Sequence, residues 1–146
     1  MRALSYTLVA VSLTMIGLVV LTAPRVQAAA AFVQKGTAAS GSSTVTPTLP
    51  GSSTSGNLLV ATIVDINSGC ASDNITAPAG WTRAATICRG GTGPLQLWYY
   101  PNNPGGISSV AFSTGSAGAN ARAQLSEYSG VATSSPVDEN VTLYQS

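Results

Sequence analysis

The chain has 146 residues, a formal net charge of +1 at pH 7 and 8 % charged residues, and it contains two Cys and no His. This length suits one domain with or without a targeting segment. The lack of His excludes Ser-His-Asp and Cys-His nucleophiles and His-ligated zinc, and a near-zero charge without a basic cluster predicts no nucleic-acid partner.

The first 28 residues have the pattern of a secretory signal peptide, predicted as a helix that is cleaved after Ala28. Met1-Arg2 gives a positive start, residues 3–24 carry no charge, and small residues flank the cleavage position. The alternative is an uncleaved anchor, because an apolar run of about 20 residues can cross a bilayer. We therefore predict a secreted or cell-surface protein that meets a membrane only through residues 3–24, if they are retained.

Residues 29–55 are rich in Ser, Thr and Gly and predict a first strand followed by an edge segment. Phe32–Ala38 contains β-forming residues and predicts the strand. Thr44-Val45-Thr46 predicts a brief pairing along a sheet edge.

Residues 56–146 predict the body of the domain, because short apolar runs alternate with Gly, Pro, Asn and Ser. Leu58–Ile66 is apolar on both faces, which predicts a central strand of a covered sheet. Further strands are predicted at Trp81–Cys88, Leu95–Tyr100, Ser108–Thr114, Ala119–Tyr128 and Val137–Tyr144. Seven to eight such strands indicate an all-β fold, an antiparallel β-sandwich of the jelly-roll or immunoglobulin-like type. The chain stops just after a strand-like run, which leaves the completeness of the body open.

Cys70 and Cys88 predict a disulfide, because export favours oxidation and their spacing is not that of a redox motif. A simple return strand after Leu58–Ile66 would carry Cys88 about 25 Å from Cys70, whereas bonded Cα atoms lie within about 7 Å. We therefore predict that Asn74–Pro78 descends, that the chain turns at Ala79 and Gly80, and that Trp81–Cys88 returns beside Cys70.

Trp98, Tyr100 and Gln96 share one face of a predicted strand, and Leu95, Leu97 and Tyr99 share the other. If the aliphatic face points inward, Trp98 and Tyr100 form an exposed platform on which sugar rings stack, with Gln96 bonding their hydroxyls. The alternative interpretation makes Trp98 the core Trp of the sandwich.

The acidic residues give no catalytic or metal motif. No cofactor is expected; a structural calcium at Asp65, Asp73, Asp138 or Glu139 is an alternative without an Asp-x-Asp loop to support it. Asp65 and Glu127 could imitate a glycosidase pair only if they met across a cleft. We therefore do not expect an enzyme.

Five short motifs resemble, in this order, a secreted bacterial surface module: Gly56–Ala61, Ile75–Thr82, Trp98–Tyr100, Glu127–Val131 and Ser135–Asp138. The resemblance spans about residues 32–138. It implies a jelly-roll or immunoglobulin-like sandwich on an exported protein, where such modules accompany polysaccharide-degrading enzymes or adhesins. It also implies binding or scaffolding rather than catalysis, and family members usually continue into further strands.

These observations predict a non-catalytic extracellular binding or adhesion module, most concretely one that binds a polysaccharide or a cell-surface glycan by aromatic stacking. The alternative is a structural subunit of a surface filament or layer that self-associates by strand exchange, with residues 29–55 as the donor.

Overall fold

The computed structural model describes residues 29–66, 75–89, 93–115, 120–137 and 141–145, and within these ranges the regular elements are all strands. They are β1 Ala31–Lys35, β2 Ala39–Gly41, β3 Thr44–Val45, β4 Leu58–Asp65, β5 Thr82–Arg89, β6 Pro94–Tyr100, β7 Phe112–Ser113, β8 Ala121–Ser129 and β9 Val141–Gln145. The all-β prediction is confirmed. The predicted signal helix lies outside these ranges, and within them no helix is long and apolar enough to span a membrane.

Most predicted strands match the observed ones to within a few residues. The main difference is Ser108–Thr114, of which only β7 is a strand. The segment opposite it contains Pro47, which has no N–H to donate, so the ladder is interrupted and resumes as an isolated bridge between Thr48 and Ser109. The structure also adds β2, a strand that the Ser- and Gly-rich composition concealed.

A large sheet has the strand order β1-β8-β4-β6-β5-β9, and β2 pairs with β8 farther along the same edge as β1. Its pairs are antiparallel, as predicted, except that β9 runs parallel to β5. The last residue of β8 and the first residue of β5 lie at the same end of the sheet. A strand that follows β8 and pairs with β5 from this end therefore runs parallel to β5.

A second, two-stranded sheet of β3 and β7 lies against one face of the large sheet, which we call the inner face. Small side chains of β8 on this face, Ala121 and Ala123, are buried as their alternation predicts. The core contains Leu59, Ala61, Ile63, Ala121, Ala123 and Leu125 of the large sheet, and Val45, Leu49, Ile75, Val110 and Phe112 from the short sheet and the segments beside it.

Within the described ranges, the central strand β4 is covered on one face only. Leu59, Ala61 and Ile63 are 0 % exposed on the inner face, whereas Leu58 and Val60 on the opposite, outer face are half-buried. The central position of β4 between β8 and β6 is confirmed. The prediction of a sheet covered on both faces is wrong for the described residues, because the short sheet packs on the inner face alone.

The predicted path between β4 and β5 is confirmed in the part that the structure describes. β4 and β5 are both antiparallel to β6 and therefore run in the same direction, so Asp65 and Cys88 lie at the same end of the sheet. The turn before β5 is closed by Trp81 N donating to Pro78 O at 3.4 Å, with Gly80 at φ 90°. Residues 67–74, including Cys70, lie outside the described ranges.

Candidate binding surface

The residues predicted to bind a ligand lie on the inner face of β6. Gln96 is 0 % exposed, and Trp98 and Tyr100 are half-buried against the core. Leu95 and Leu97 lie on the outer face and are 39 % and 38 % exposed. The aliphatic face therefore points outward, and the expected arrangement of Gln96, Trp98 and Tyr100 as an exposed platform is wrong. Trp98 lies opposite Ala61 in the register, where a large ring fills the space beside a small side chain.

Both the indole N–H and the ring of Trp98 contact other side chains of the protein. Its Nε1 donates to Gln96 Oε1 at 2.8 Å, which helps a buried amide satisfy its hydrogen bonds. The Arg83 guanidinium lies 5.7 Å from the Trp98 ring centroid, and the Phe112 ring is 6.2 Å away. These contacts engage the indole with neighbouring side chains, as expected for a core Trp.

Tyr100 packs against the turn that precedes β5. Its ring centroid is 5.8 Å from that of Trp81, and Trp81 in turn contacts Phe112 at 5.2 Å. A Cβ added to Gly80 would lie 2.6 Å from Tyr100 Cζ, so the turn accepts only glycine there. Tyr100 therefore joins the turn to the aromatic cluster of the core.

The surface best suited to binding is the outer face of the large sheet. Across strands β8, β4, β6 and β5, one row contains Arg122, Val64, Leu95 and Ile87, and the next contains Gln124, Thr62, Leu97 and Ala85. Each row spans about 14 Å, because neighbouring strands are about 4.8 Å apart. Ile66, Ile87, Leu95 and Leu97 are 38–43 % exposed.

Two shallow grooves lie side by side on this outer face, and Thr62 lines both. The apolar groove, of about 230 Å³, is lined by Thr62, Ala85, Ile87, Leu95, Gln96 and Leu97. The second groove, also about 230 Å³, is lined by Ala38, Thr62, Val64, Arg122, Ala123 and Gln124. An apolar site is thus adjacent to a site with a guanidinium.

Among the charged side chains that the structure describes, those on the outer face are cations. On the outer face, Lys35 lies opposite Ser126 and Arg122 lies opposite Val64, and both cations are exposed. The acidic side chains that the structure describes, Asp65 and Glu127, lie on the inner face and are 1 % and 0 % exposed. Within the described ranges, the outer face therefore combines apolar and cationic side chains without an acid.

Glu127 is a buried carboxylate held by neutral donors. Its Oε2 accepts from Gln34 Nε2 at 2.6 Å, and its Oε1 accepts from Thr54 N and Asn57 Nδ2, each at 2.7 Å. Burial acts to raise the pKa of Glu127, but the hydrogen bonds from Gln34, Thr54 and Asn57 outweigh it and lower that pKa below its ordinary value. The carboxylate thus holds the segment before β4 against β1 and β8.

Asn103, which is 0 % exposed, binds the same segment. Its Nδ2 donates to Thr54 O at 3.0 Å and Asn57 O at 2.7 Å. Its Oδ1 accepts from Ser53 Oγ and Gly105 N, each at 2.8 Å. The Asn-Asn-Pro-Gly-Gly run around Asn103 indicates only a turn, so no local pattern predicts this role.

Asp65 and Glu127 do not form a catalytic pair. Glu127 lies opposite Leu59 in the register, and Asp65 is six residues farther along β4. At about 3.4 Å per residue this separates the two backbones by about 20 Å, whereas the carboxyl groups of glycosidases lie about 5–9.5 Å apart. The hydrogen bonds of Glu127 indicate a structural role.

The remaining predicted sites are only partly described. Cys88 lies on the inner face, is 1 % exposed and is not a free thiol; since Cys70 is outside the described ranges, their bond stays a prediction. Asp73, Asp138 and Glu139 of the calcium alternative also lie outside. Among the residues described, no cluster of three or more His, Cys, Asp or Glu side chains could hold a metal ion.

In comparisons with known proteins, no family model, no curated protein and no solved structure matches the chain.

Proposed function

We propose that the chain is an exported, non-catalytic binding or adhesion module that binds its partner through the outer face of the large sheet. The observation that carries this proposal is the exposed group of Ile66, Ile87, Leu95 and Leu97 on one sheet face. Contiguous exposed apolar surface on a folded domain is typical of an interaction site.

We infer that the fold is a β-sandwich with one full and one short sheet, which supports the module interpretation. The buried core joins the inner face of the large sheet to β3, β7 and the segments beside them. Residues 1–28 support export, since they have the composition of a cleaved signal peptide. The resemblance to secreted bacterial surface modules supports the same interpretation.

Carbohydrate binding is one version of this proposal, but its aromatic contacts would have to come from the outer face. Trp98 and Tyr100 are engaged with the core. Tyr99 and Tyr128 are half-buried on the outer face and are the rings that a sugar could reach.

The test compares the retention of secreted protein on insoluble polysaccharides, on a glycan array and on lipid vesicles. The double variant Leu95→Thr/Leu97→Thr removes two outer-face side chains while keeping strand-forming residues. Val33→Thr is the matched control, because Val33 is 44 % exposed on β1, away from both grooves. We expect the double variant to lose retention and the control to keep it; equal retention of all three on every surface would refute the proposal.

The alternative function is a filament or layer subunit that assembles by strand exchange. Exposure of Phe32 (58 %) and Val33 (44 %) on the edge strand β1 favours it. Against it, β1 and β2 pair with β8 of the same chain, and a bulge and Lys35 on β1 discourage the addition of a strand. Electron microscopy of concentrated secreted protein tests this alternative, which predicts filaments or sheets; monodisperse monomers would contradict it.

A further inference from the structure

We infer that the outer face binds lipid bilayers that carry anionic headgroups, a conclusion that rests on the proposed function above. The first argument is the composition of the apolar groove. Leu95, Leu97 and Ile87 line it with aliphatic groups, each about 40 % exposed, while the small Ala85 and Thr62 form the rest of its wall. Such a surface suits the acyl region just below the headgroups.

The second argument is charge complementarity. Arg122 lies in the same row as Leu95, two strands away, and Lys35 lies on the same face toward the β1 edge. Long cationic side chains around an apolar centre can bind phosphate headgroups while the aliphatic groups enter the bilayer. The described part of the face contains no acid that would be repelled by an anionic surface.

The third argument is the position of the tyrosines. Tyr99 of β6 lies opposite Val60 of β4, and Tyr128 of β8 lies opposite Leu58 of β4. The Tyr128 ring also stacks edge-on with that of Phe32, with 5.9 Å between the ring centroids. Tyr side chains prefer the boundary between apolar and aqueous phases, because the ring is apolar and the hydroxyl is polar. They lie on the same face as the grooves, toward its other end.

A second copy of the chain is a poorer partner for this face. Two outer faces packed together would bring Arg122 and Lys35 of both copies into one interface, and no acid of the described outer face would neutralise them. An anionic bilayer instead complements both cations. The outer face would thus provide a membrane contact separate from residues 3–24.

The experiment measures co-sedimentation of secreted protein with phosphatidylcholine vesicles and with phosphatidylcholine vesicles that contain phosphatidylglycerol. We expect binding to the anionic vesicles only, and a decrease as NaCl concentration rises. Leu95→Thr/Leu97→Thr should weaken binding more than about tenfold. Arg122→Gln should weaken it about fivefold, as expected for the loss of one cation near an anionic surface.

The control Val33→Thr should bind as the wild type does, and circular dichroism with denaturant midpoints identifies variants that fail to fold. If the double variant misfolds, Arg122→Gln decides, because its exposed side chain is not part of the core. Absence of vesicle binding, or equal binding by the wild type and both outer-face variants, would overturn the lipid inference.

The outcomes distinguish this inference from the proposed function. Retention on a polysaccharide that the double variant loses, without vesicle binding, would refute the lipid partner and keep the outer face as a binding surface. A wild-type dimer in sedimentation velocity that the double variant dissociates would instead assign this face to a second copy and overturn the inference.

Discussion

At the scale of single residues, buried polar side chains hold loops in place through hydrogen bonds. Glu127 and Asn103 make seven hydrogen bonds between 2.6 and 3.0 Å, five of them to the segment Ser53–Asn57 and the other two to Gln34 and Gly105. A buried polar group without such partners would cost about 1–3 kcal/mol. The position of this segment, which leads into the central strand, thus depends on two side chains distant in sequence.

Glu127→Gln tests the role of the carboxylate. We expect the free energy of unfolding to fall by about 1–3 kcal/mol at neutral pH, because one oxygen becomes an NH₂ group that faces the Gln34 donor. Denaturant unfolding measures the change.

The pH dependence of that difference follows from the sign of the pKa shift. The pKa of Glu127 is lowered from the ordinary value of 4.5, so its contribution is fully present above 4.5 and is lost as pH falls through the folded-state pKa. The stability difference between wild type and Glu127→Gln should therefore shrink between pH ~7 and pH ~3. A difference that stays constant over this range would contradict a stabilising ionised Glu127.

At the scale of elements, the two faces of β4 lie in different environments, one in the core and one partly exposed to solvent. Leu59→Ala should lower the free energy of unfolding by about 2–5 kcal/mol, because Leu59 is 0 % exposed in the core. Leu58→Ala, its neighbour on the outer face, should cost less than about 1.5 kcal/mol, since that side chain is half-buried. Denaturant midpoints measure both; equal losses would mean that the outer face is covered in solution.

At the scale of the whole molecule, the predicted disulfide would tie together the loop after β4 and the end of β5. Peptide mapping of secreted protein without reduction should find a fragment that links Cys70 to Cys88. Cys70→Ser should lower stability by about 3 kcal/mol in the chain-entropy estimate for a loop of this size. Two reactive thiols per denatured, unreduced chain would contradict the bond.

Local patterns in the sequence determined much of this fold. The alternation of apolar and polar residues along β8 predicts its inner face, and Pro and Gly between the apolar runs predict the turn before β5. Such features are predictable because steric limits and side-chain alternation act over a few neighbouring residues. A bond between Cys70 and Cys88 also requires β5 to run in the direction of β4, and the structure confirms this direction.

The tertiary structure alone decided which face of β4 and which face of β6 is buried. β4 and β6 are apolar on both faces, so alternation could not determine whether Leu97 or Trp98 points inward; the position of the short sheet determines it. The partners of Glu127 lie 70 to 93 residues away in sequence, and no local pattern connects them. Burial and long-range hydrogen bonds depend on which residues lie across the core. Only the packing of the two sheets therefore identified the candidate surface, whereas most of the strands could be predicted from local sequence patterns.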